Sequence, residues 1–433
     1  MSAGYGEPRP RILVATTLHW ASTTRLALAM EEAGLKVAVL APEGHALHRM
    51  DAIGHRRIYS GNAAFPRALA KAALDFAPDL IVPGDDRAVR AMHTLYDKAR
   101  RKGRRWDRLA ATIGDSLGDP AGFAITGAKA AFATFSRAEG LPLPETWPVP
   151  DGTALKSLLR TVPFPAVLKV DHSWGGMGVR IVRNEAEARR AFAELSRARG
   201  WRSGVKHALD SLSVTPLIDR TFAADPPMAL QPFVRGQPAN RAVFCRDGAV
   251  LAGLTVGMVQ SAHETGPATV VRVLDRPDID AVTATIVRRL SLSGFVGVDF
   301  VIDAATGRAV LLELNPRPTQ TCHFAFERSC DLVGAMAASL LRAPHRALPA
   351  QVKPDTIALF PQEVWRDPVS THFATAHHDV PWAWPDFLRA YAAPVAAEQP
   401  GWLTALRRRL QSGARASASL EAFPTTQLKA RKS

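Results

Sequence analysis

A short apolar, β-branched run from Arg11 to Thr16 is followed by an apolar-periodic stretch from about Ser22 to Ala33. That stretch stops at Gly34 and gives way to a second apolar run at Lys36 to Leu40. Continuous apolar runs of this length read as buried strands and a 3.6-residue period reads as helix, so the chain begins β-α-β. Another helical stretch, Phe65 to Phe76, leads into Asp79-Leu-Ile-Val-Pro83, and Gly84-Asp85-Asp86 then opens a helix to about Lys98. Strands alternating with helices predict a parallel sheet covered on both faces. No Gly-x-Gly-x-x-Gly turn follows the first strand, so no dinucleotide is assigned to this unit. Asp85 and Asp86 suit helix capping better than contact with an amine substrate.

From about Asp119 the pattern changes. A helix over about Ala128 to Glu139, stopped by Gly140, runs into Leu141-Pro-Leu-Pro144. Strands are predicted at Ala166 to Val170 and Val179 to Val182, with a Gly-rich loop between them and a helix, Glu185 to Arg199, after Asn184. Further strands are predicted at Met228 to Val234, Ala239 to Cys245, Ala249 to Val256, Val296 to Ile302 and Ala309 to Leu314. Beyond about Ala343 the periodicity weakens among Pro and Trp residues.

Length and composition narrow the class. A chain of 433 residues exceeds a single ordinary core, and 47% hydrophobic with 22% charged residues is a globular balance. No apolar run approaches the roughly 20 residues that span a bilayer. Met1 to Arg11 shows no secretory signal, and Cys245, Cys322 and Cys330 have neither metal-ligand nor redox spacing, so a cytoplasmic protein without disulfides is expected. The net charge of +14 is spread along the chain, with clusters at Arg100 to Arg105 and Arg407 to Arg409. Neither cluster is interleaved with base-stacking aromatics, so a solvated basic face is read and no nucleic-acid partner is expected. Gly401 to Leu410 places Trp402, Leu406 and Leu410 near one helical face beside arginines. Packing on its own domain is preferred there to peripheral contact with an anionic membrane.

Two segments carry candidate chemistry. In Val167-Leu-Lys-Val-Asp-His-Ser-Trp-Gly-Gly-Met-Gly178, two strands flank a loop containing Gly175, Gly176 and Gly178. It is either an ordinary turn or a flap whose backbone N–H groups approach phosphate oxygens, with Lys169 adding a point charge. The second segment runs Val296-Gly-Val-Asp-Phe-Val-Ile-Asp303, turns through Thr306-Gly307, and continues to Glu313-Leu-Asn-Pro-Arg317. Antiparallel pairing about Thr306 places Asp299 opposite Glu313, and the period of two puts Asn315 on the same face as Glu313. Facing carboxylates destabilise a sheet unless a cation lies between them, and two carboxylates with an amide oxygen are hard ligands suited to Mg²⁺ held with nucleotide phosphates. Asp303 is expected to shape the turn. Arg317, carried off the strand by Pro316, is expected either at a phosphoryl or acyl phosphate oxygen or in a salt bridge.

The order Lys129, Lys169, Gln231-Pro-Phe-Val234, Asp299 and Glu313-Leu-Asn-Pro-Arg317 resembles the ATP-grasp superfamily, in particular its carboxylate-amine ligases, over roughly Asp119 to Leu341. The resemblance implies that Lys129 contacts phosphate and that Gln231 with the backbone of Pro232, Phe233 and Val234 meets the adenine edge. It also implies that His263 to Arg272 is a mobile closing loop whose Arg272 grips a carboxylate or the transferring phosphoryl group. Pro232 departs from the Glu or Lys common there, and Pro238 and Ala239 offer no acid to a ribose.

The expected architecture is an α/β and α+β multidomain chain: a Rossmann-like parallel sheet over residues 1–118, an ATP-grasp domain of two α+β lobes over 119–343, and a C-terminal extension over 344–433. The implied activity is an ATP-dependent ligase with small-molecule carboxylate and amine substrates, using ATP and Mg²⁺ or Mn²⁺. The other readings are an ATP-grasp phosphotransferase, a thioester-forming ligase and a non-catalytic Mg-ATP sensor.

Overall fold

The computed structural model describes residues 9–170, 178–199, 228–264, 266–345 and 354–391. One compact unit spans Met1–Ser196 and Asp225–Val395, and a second comprises Arg197–Ala224 and Ala396–Ser433. The second lies almost wholly outside the described residues, and the amphipathic segment at 401–410 lies outside them with it.

Strands β1 (Arg11–Ala15), β2 (Lys36–Pro42), β3 (His55–Tyr59) and β4 (Leu80–Pro83) form a parallel sheet of order β3-β2-β1-β4. Helices α1 (Ala21–Glu32), α2 (Phe65–Phe76), α3 (Asp86–Ala99) and α4 (Arg104–Leu117) cover it. Alternation along β1 sends Ile12 and Val14 into one core with Leu26 and Leu28 of α1. Leu13 and Ala15 enter a second core with Phe65, Leu69, Met92 and Ile113. Both faces are therefore buried, as a parallel sheet requires. Chain progression from β1 to β3 runs one way across the sheet, and β4 returns to the other side of β1. The loops after β1 and β4 consequently diverge, and such a crevice is where open α/β sheets bind ligands.

Helices α5 (Phe123–Thr126) and α6 (Lys129–Ala138) lead into a small antiparallel sheet of order β5-β8-β6-β7. Its strands are β5 (Trp147–Val149), β6 (Ala166–Val170), β7 (Val179–Val182) and β8 (Met228–Pro232), and its helices are α7 (Gly152–Leu158) and α8 (Glu185–Arg199). Leu155, Ala188 and Leu195 pack there against Leu168 and Leu230.

The large sheet has the order β13-β12-β9-β10-β11-β14-β15. It comprises β9 (Gly236–Arg246), β10 (Ala249–Ser261), β11 (Ala268–Val273), β12 (Gly294–Asp303), β13 (Ala309–Asn315), β14 (Thr356–Ala358) and β15 (His377–His378). Helices α6 and α9 (Pro277–Arg289) bury Phe132, Ile279, Ile286 and Val287 against one face, on Val243, Val298 and Phe300. Helix α10 (Leu332–Leu341) places Leu332 and Met336 in the core of the other face with Phe244 and Leu254. The segment cast as a closing loop is in part a strand. Thr269, Val270 and Val271 are buried in β11, which pairs with β10 and β14. Residues 354–391 extend this sheet and reach back to α1, where Thr24 Oγ1 lies 3.0 Å from Tyr391 Oη. Among the described residues no helix is long and apolar enough to cross a membrane, and Cys245, Cys322 and Cys330 are free and buried.

Candidate functional site

The β12–β13 hairpin brings Asp299 opposite Glu313, but not by a simple register. Near the turn Ile302 pairs with Ala309 and Phe300 with Leu311, a frame that would set Leu312 against Asp299. An irregularity between Asp299 and Phe300 inserts Leu312 as an extra residue, after which Asp299 faces Glu313 and Gly297 faces Asn315. A one-residue bulge re-aims the rest of a strand, and without it an apolar side chain would occupy the acid's place. The turn is built as its residues dictate. Asp303 Oδ1 accepts from the N–H groups of Ala305 and Thr306, each at 2.8 Å, and Gly307 takes φ +68°.

Around this pair the polar side chains interlock. Asn315 Nδ2 donates to Asp299 Oδ2 at 2.8 Å and lies 3.5 Å from Glu313 Oε1. Asn240 Nδ2, on β9, donates to Asp299 Oδ1 at 2.7 Å, and Lys129 Nζ lies 3.0 Å from Glu313 Oε2. Arg317 donates from Nε to Asp86 Oδ1 at 2.9 Å and from an Nη to Asn315 Oδ1 at 3.2 Å, and its guanidinium stands 5.1 Å from the Trp20 ring. Burial and the Glu313 charge push the Asp299 pKa up, against the opposing pull of Asn240, Arg317 and Asn315. Burial also works to raise Glu313, but Lys129, Lys169 and Arg317 outweigh it and hold the Glu313 pKa below the usual carboxylate range. Although deep in the molecule, the Glu313 side chain keeps 31% of its surface accessible because it faces a cavity.

That cavity, about 230 Å³, is bounded by α3, α6, the small sheet and β13. Lys129, Lys169, Arg90 and Arg137 line it together with Asp86, Glu313 and Asn315, so cations outnumber acids. The N-cap of helix α6 is Ala128, whose methyl group makes no capping hydrogen bond, and Ala128, Lys129 and Ala130 all border the cavity. Uncapped first-turn N–H groups beside two lysines form a favourable environment for an anion. Lys169 reaches the cavity from β6, opposite Val179 on β7 and Ala229 on β8.

Gly178 is buried and its carbonyl accepts from Val170 N at 3.0 Å, whereas Gly175 and Gly176 lie outside the described residues. Gln231 is buried, with Oε1 3.5 Å from Thr146 Oγ1, and Pro232, Phe233 and Val234 continue the chain toward β9. Gln231 to Val234 do not border the cavity described, though Thr146 does. Arg272 lies on β11, half exposed, with Nε 3.3 Å from Asp355, and it is not among the cavity residues. Asp85 is consumed structurally. It caps α3 by accepting from the N–H groups of Arg87 and Ala88, and it also accepts from Thr16 Oγ1 and Thr17 Oγ1. Asn240, Arg90 and Arg137 went unnoticed in the sequence because nothing local distinguishes them. Asn240 could have been found only by extending the strand pairing to β9, where it is the register partner of Asp299.

The donor set fits a hard divalent cation held in part by other groups. Asp299 and Glu313 face each other with the Asn315 amide beside both, and burial, followed by the Glu313 charge, disfavours the ionised Asp299, a cost that a cation between the acids would relieve. Among the described residues no group of three or more His, Cys, Asp or Glu could hold a metal alone, so phosphate oxygens and water would have to complete the shell.

Residues 129–321 match the ATP-grasp domain family. No curated protein matches the chain. Among solved structures, the biotin carboxylase domain of 2-oxoglutarate carboxylase from Hydrogenobacter thermophilus, in complex with MgADP, ADP and bicarbonate, superposes with a TM-score of 0.56 at 16% identity over 80% of this chain and 72% of that one. An L-amino acid ligase from Bacillus licheniformis gives 0.55 at 13% identity over 81% and 80%. A carboxyaminoimidazole ribonucleotide synthase from Aspergillus clavatus complexed with ATP gives 0.53 at 15% identity over 80% of each chain. The match of 129–321, the paired lobes and the shared fold converge: this chain carries an ATP-grasp domain behind an N-terminal parallel α/β sheet.

Proposed function

We propose that this chain is an ATP-dependent ligase that activates a carboxylate as an acyl phosphate and passes the acyl group to an amine. The observation that carries the reading is the contiguous array Lys129–Glu313–Asn315–Asp299, with Arg317 on Asn315, in which Lys129, Glu313 and Asn315 border a cavity lined by further cations while Asp299 and Arg317 stand behind them. Lys129, Lys169 and the start of α6 neutralise and orient the phosphates of ATP. A carboxylate oxygen attacks the γ-phosphorus, the bond to the β-phosphate oxygen breaks, and ADP leaves. Arg317, held by Asp86, Asn315 and Trp20 next to the acids, is assigned the role of stabilising charge on the transferring group with its planar fork. The amine nitrogen then attacks the acyl carbon, the carbon–oxygen bond to phosphate breaks, and phosphate and one proton are released. Asp299, Glu313 and Asn315 would hold Mg²⁺, which supplies charge neutralisation on the phosphate oxygens. No protein nucleophile is needed, and Cys322 is unsuited to the role because burial raises its thiol pKa to about 11.

The test is a screen for ADP release with ATP and Mg²⁺ over amino acids, hydroxy acids, peptides and polyamines, with product masses for every hit. A product equal in mass to acid plus amine minus water, with free phosphate, is expected. A stable phosphorylated acceptor without free phosphate would replace the ligase by a phosphotransferase.

A further inference from the structure

Asp299 is aimed by a chain of side chains that reaches away from the cavity. Its Oδ2 accepts from Asn315, itself a proposed ligand, but its Oδ1 accepts from Asn240 Nδ2 at 2.7 Å. Asn240 is the cross-strand partner of Asp299 on β9, so the two side chains stand on the same face of the sheet as near neighbours. Asn240 Oδ1 accepts in turn from Thr319 Oγ1 at 3.1 Å. Thr319 is fixed by its own backbone N–H, 3.2 Å from Cys322 Sγ, with that sulfur also 3.8 Å from Thr319 Oγ1. Space for Thr319 exists because residue 297 is glycine. A Cβ at Gly297 would fall 2.2 Å from Thr319 Cγ2, an impossible contact.

We propose that Asn240 and Thr319 form a positioning relay that orients the Asp299 carboxylate for a divalent cation shared with nucleotide phosphates. Neither touches the reacting atoms; they act through Asp299. The relay has one polarity. With Thr319 donating to its oxygen, the Asn240 amide has its N–H groups directed to Asp299, which keeps the carboxylate from turning toward either neighbour. Loss of such an outer hydrogen-bond partner weakens metal affinity by about 10–100-fold in metal sites generally. The inference rests on the nucleotide-site reading above, and the experiment separates the two.

The experiment titrates Mn²⁺ into the whole chain with saturating ADP, following free Mn²⁺ by electron paramagnetic resonance, alongside ADP affinity and melting measured without metal. The variants are Asn240→Leu, which keeps the volume and removes the donor, Thr319→Val, which removes only the hydroxyl, and Thr319→Ser, which restores it. The relay predicts Mn²⁺ affinity weakened about 10-fold or more in Asn240→Leu, weakened in Thr319→Val and recovered in Thr319→Ser, with metal-free ADP affinity unchanged. Mn²⁺ affinity equal to that of the unsubstituted chain in Asn240→Leu overturns it. So does a weakening that appears equally without metal, or that Thr319→Ser fails to recover. If Asn240→Leu does not fold, the Val and Ser pair at 319 decides alone. An unsubstituted chain that binds no Mn²⁺ with ADP would bring down the nucleotide reading, and the relay with it.

Discussion

Glu313 faces opposite demands at once: it lies against the like charge of Asp299, and it pairs with Lys129 at 3.0 Å in a partly open cavity. Glu313→Gln relieves the first and loses the second. A pair this exposed contributes about 0–1 kcal/mol, so the metal-free melting temperature of the variant should move little in either direction. Binding should not be spared, because a direct ligand is lost rather than an outer partner. Calorimetry with ADP is expected to show a Mg²⁺-dependent gain in affinity for the unsubstituted chain, reduced by more than about 100-fold in metal affinity for Glu313→Gln. Retention of the Mg²⁺ effect in the variant would remove Glu313 from the site. A second residue shows its charge state through pH. His45 is fully buried between β2 and the loop after β1, accepting from Leu47 N and donating to Leu18 O, and burial with the nearby His19 and His48 lowers its pKa to about 3. Its unfolded value is about 6.5, so between that value and about 3 the unfolded chain binds the proton that the folded chain refuses. Stability from this residue is complete above pH 6.5 and is lost as pH falls, with a limiting slope of about 1.4 kcal/mol per pH unit. His45→Gln, which can keep both hydrogen bonds, should flatten the melting curve against pH below 6.5; an unaltered slope would show that His45 is not the buried neutral group.

At the scale of elements, the strands that carry chemistry were legible because they are buried on at least one face. Ala166–Val170 and Val179–Val182 stand where the apolar runs placed them, and Phe65–Phe76 begins and ends as its periodicity indicates. β3 was not legible, because His55, Arg56, Arg57 and Ile58 are exposed at a sheet edge and give no apolar pattern. The pairing of Asp299 with Glu313 follows from a turn centred on Thr306, yet it is reached through the Leu312 bulge, which has no signature in the residues themselves. Asn240, Arg90 and Arg137 come from other elements, and only the folded chain brings them to the acids. β11 was hidden because its sequence resembles a closing loop, although Thr269, Val270 and Val271 are β-branched and buried. The hairpin also divides its labour by face, since Phe300, adjacent to Asp299, is fully buried in the core under α6 and α9. Phe300→Ala should therefore cost about 3–5 kcal/mol in chemical unfolding while leaving the ADP affinity of the folded fraction close to that of the parent. An affinity loss at full folding would show that the two faces are not independent.

At the scale of the whole molecule, Arg317 joins the N-terminal sheet to the ATP-grasp domain. It leaves β13 and is received by Asp86 at the start of α3 and by Trp20 after β1, at the crevice where β1 and β4 diverge. Burial works against its charge, but Asp86, Glu313 and Asp299 more than offset this and raise its pKa. Removing Asp86 leaves a buried cation short of an anion, whereas removing Lys169 leaves the cation-rich cavity with less attraction for phosphate. The two changes should therefore respond to nucleotide in opposite senses. Breaking a fully buried pair costs about 3–5 kcal/mol, and Asp86→Ala should cost less because Asp86 opens onto the cavity. A ligand at one hundred times its dissociation constant adds about 2.7 kcal/mol to the folded state. Mg-ATP should stabilise Asp86→Ala at least as strongly as the parent, since its phosphates return negative charge near Arg317. It should stabilise Lys169→Met less than the parent at the same concentration, with native circular dichroism in both variants. Thermal melts over a Mg-ATP series decide the matter. Equal shifts in all three proteins would detach Arg317 and Lys169 from the nucleotide, leaving the ion pair to Asp86 as a structural clamp between the N-terminal sheet and the ATP-grasp domain.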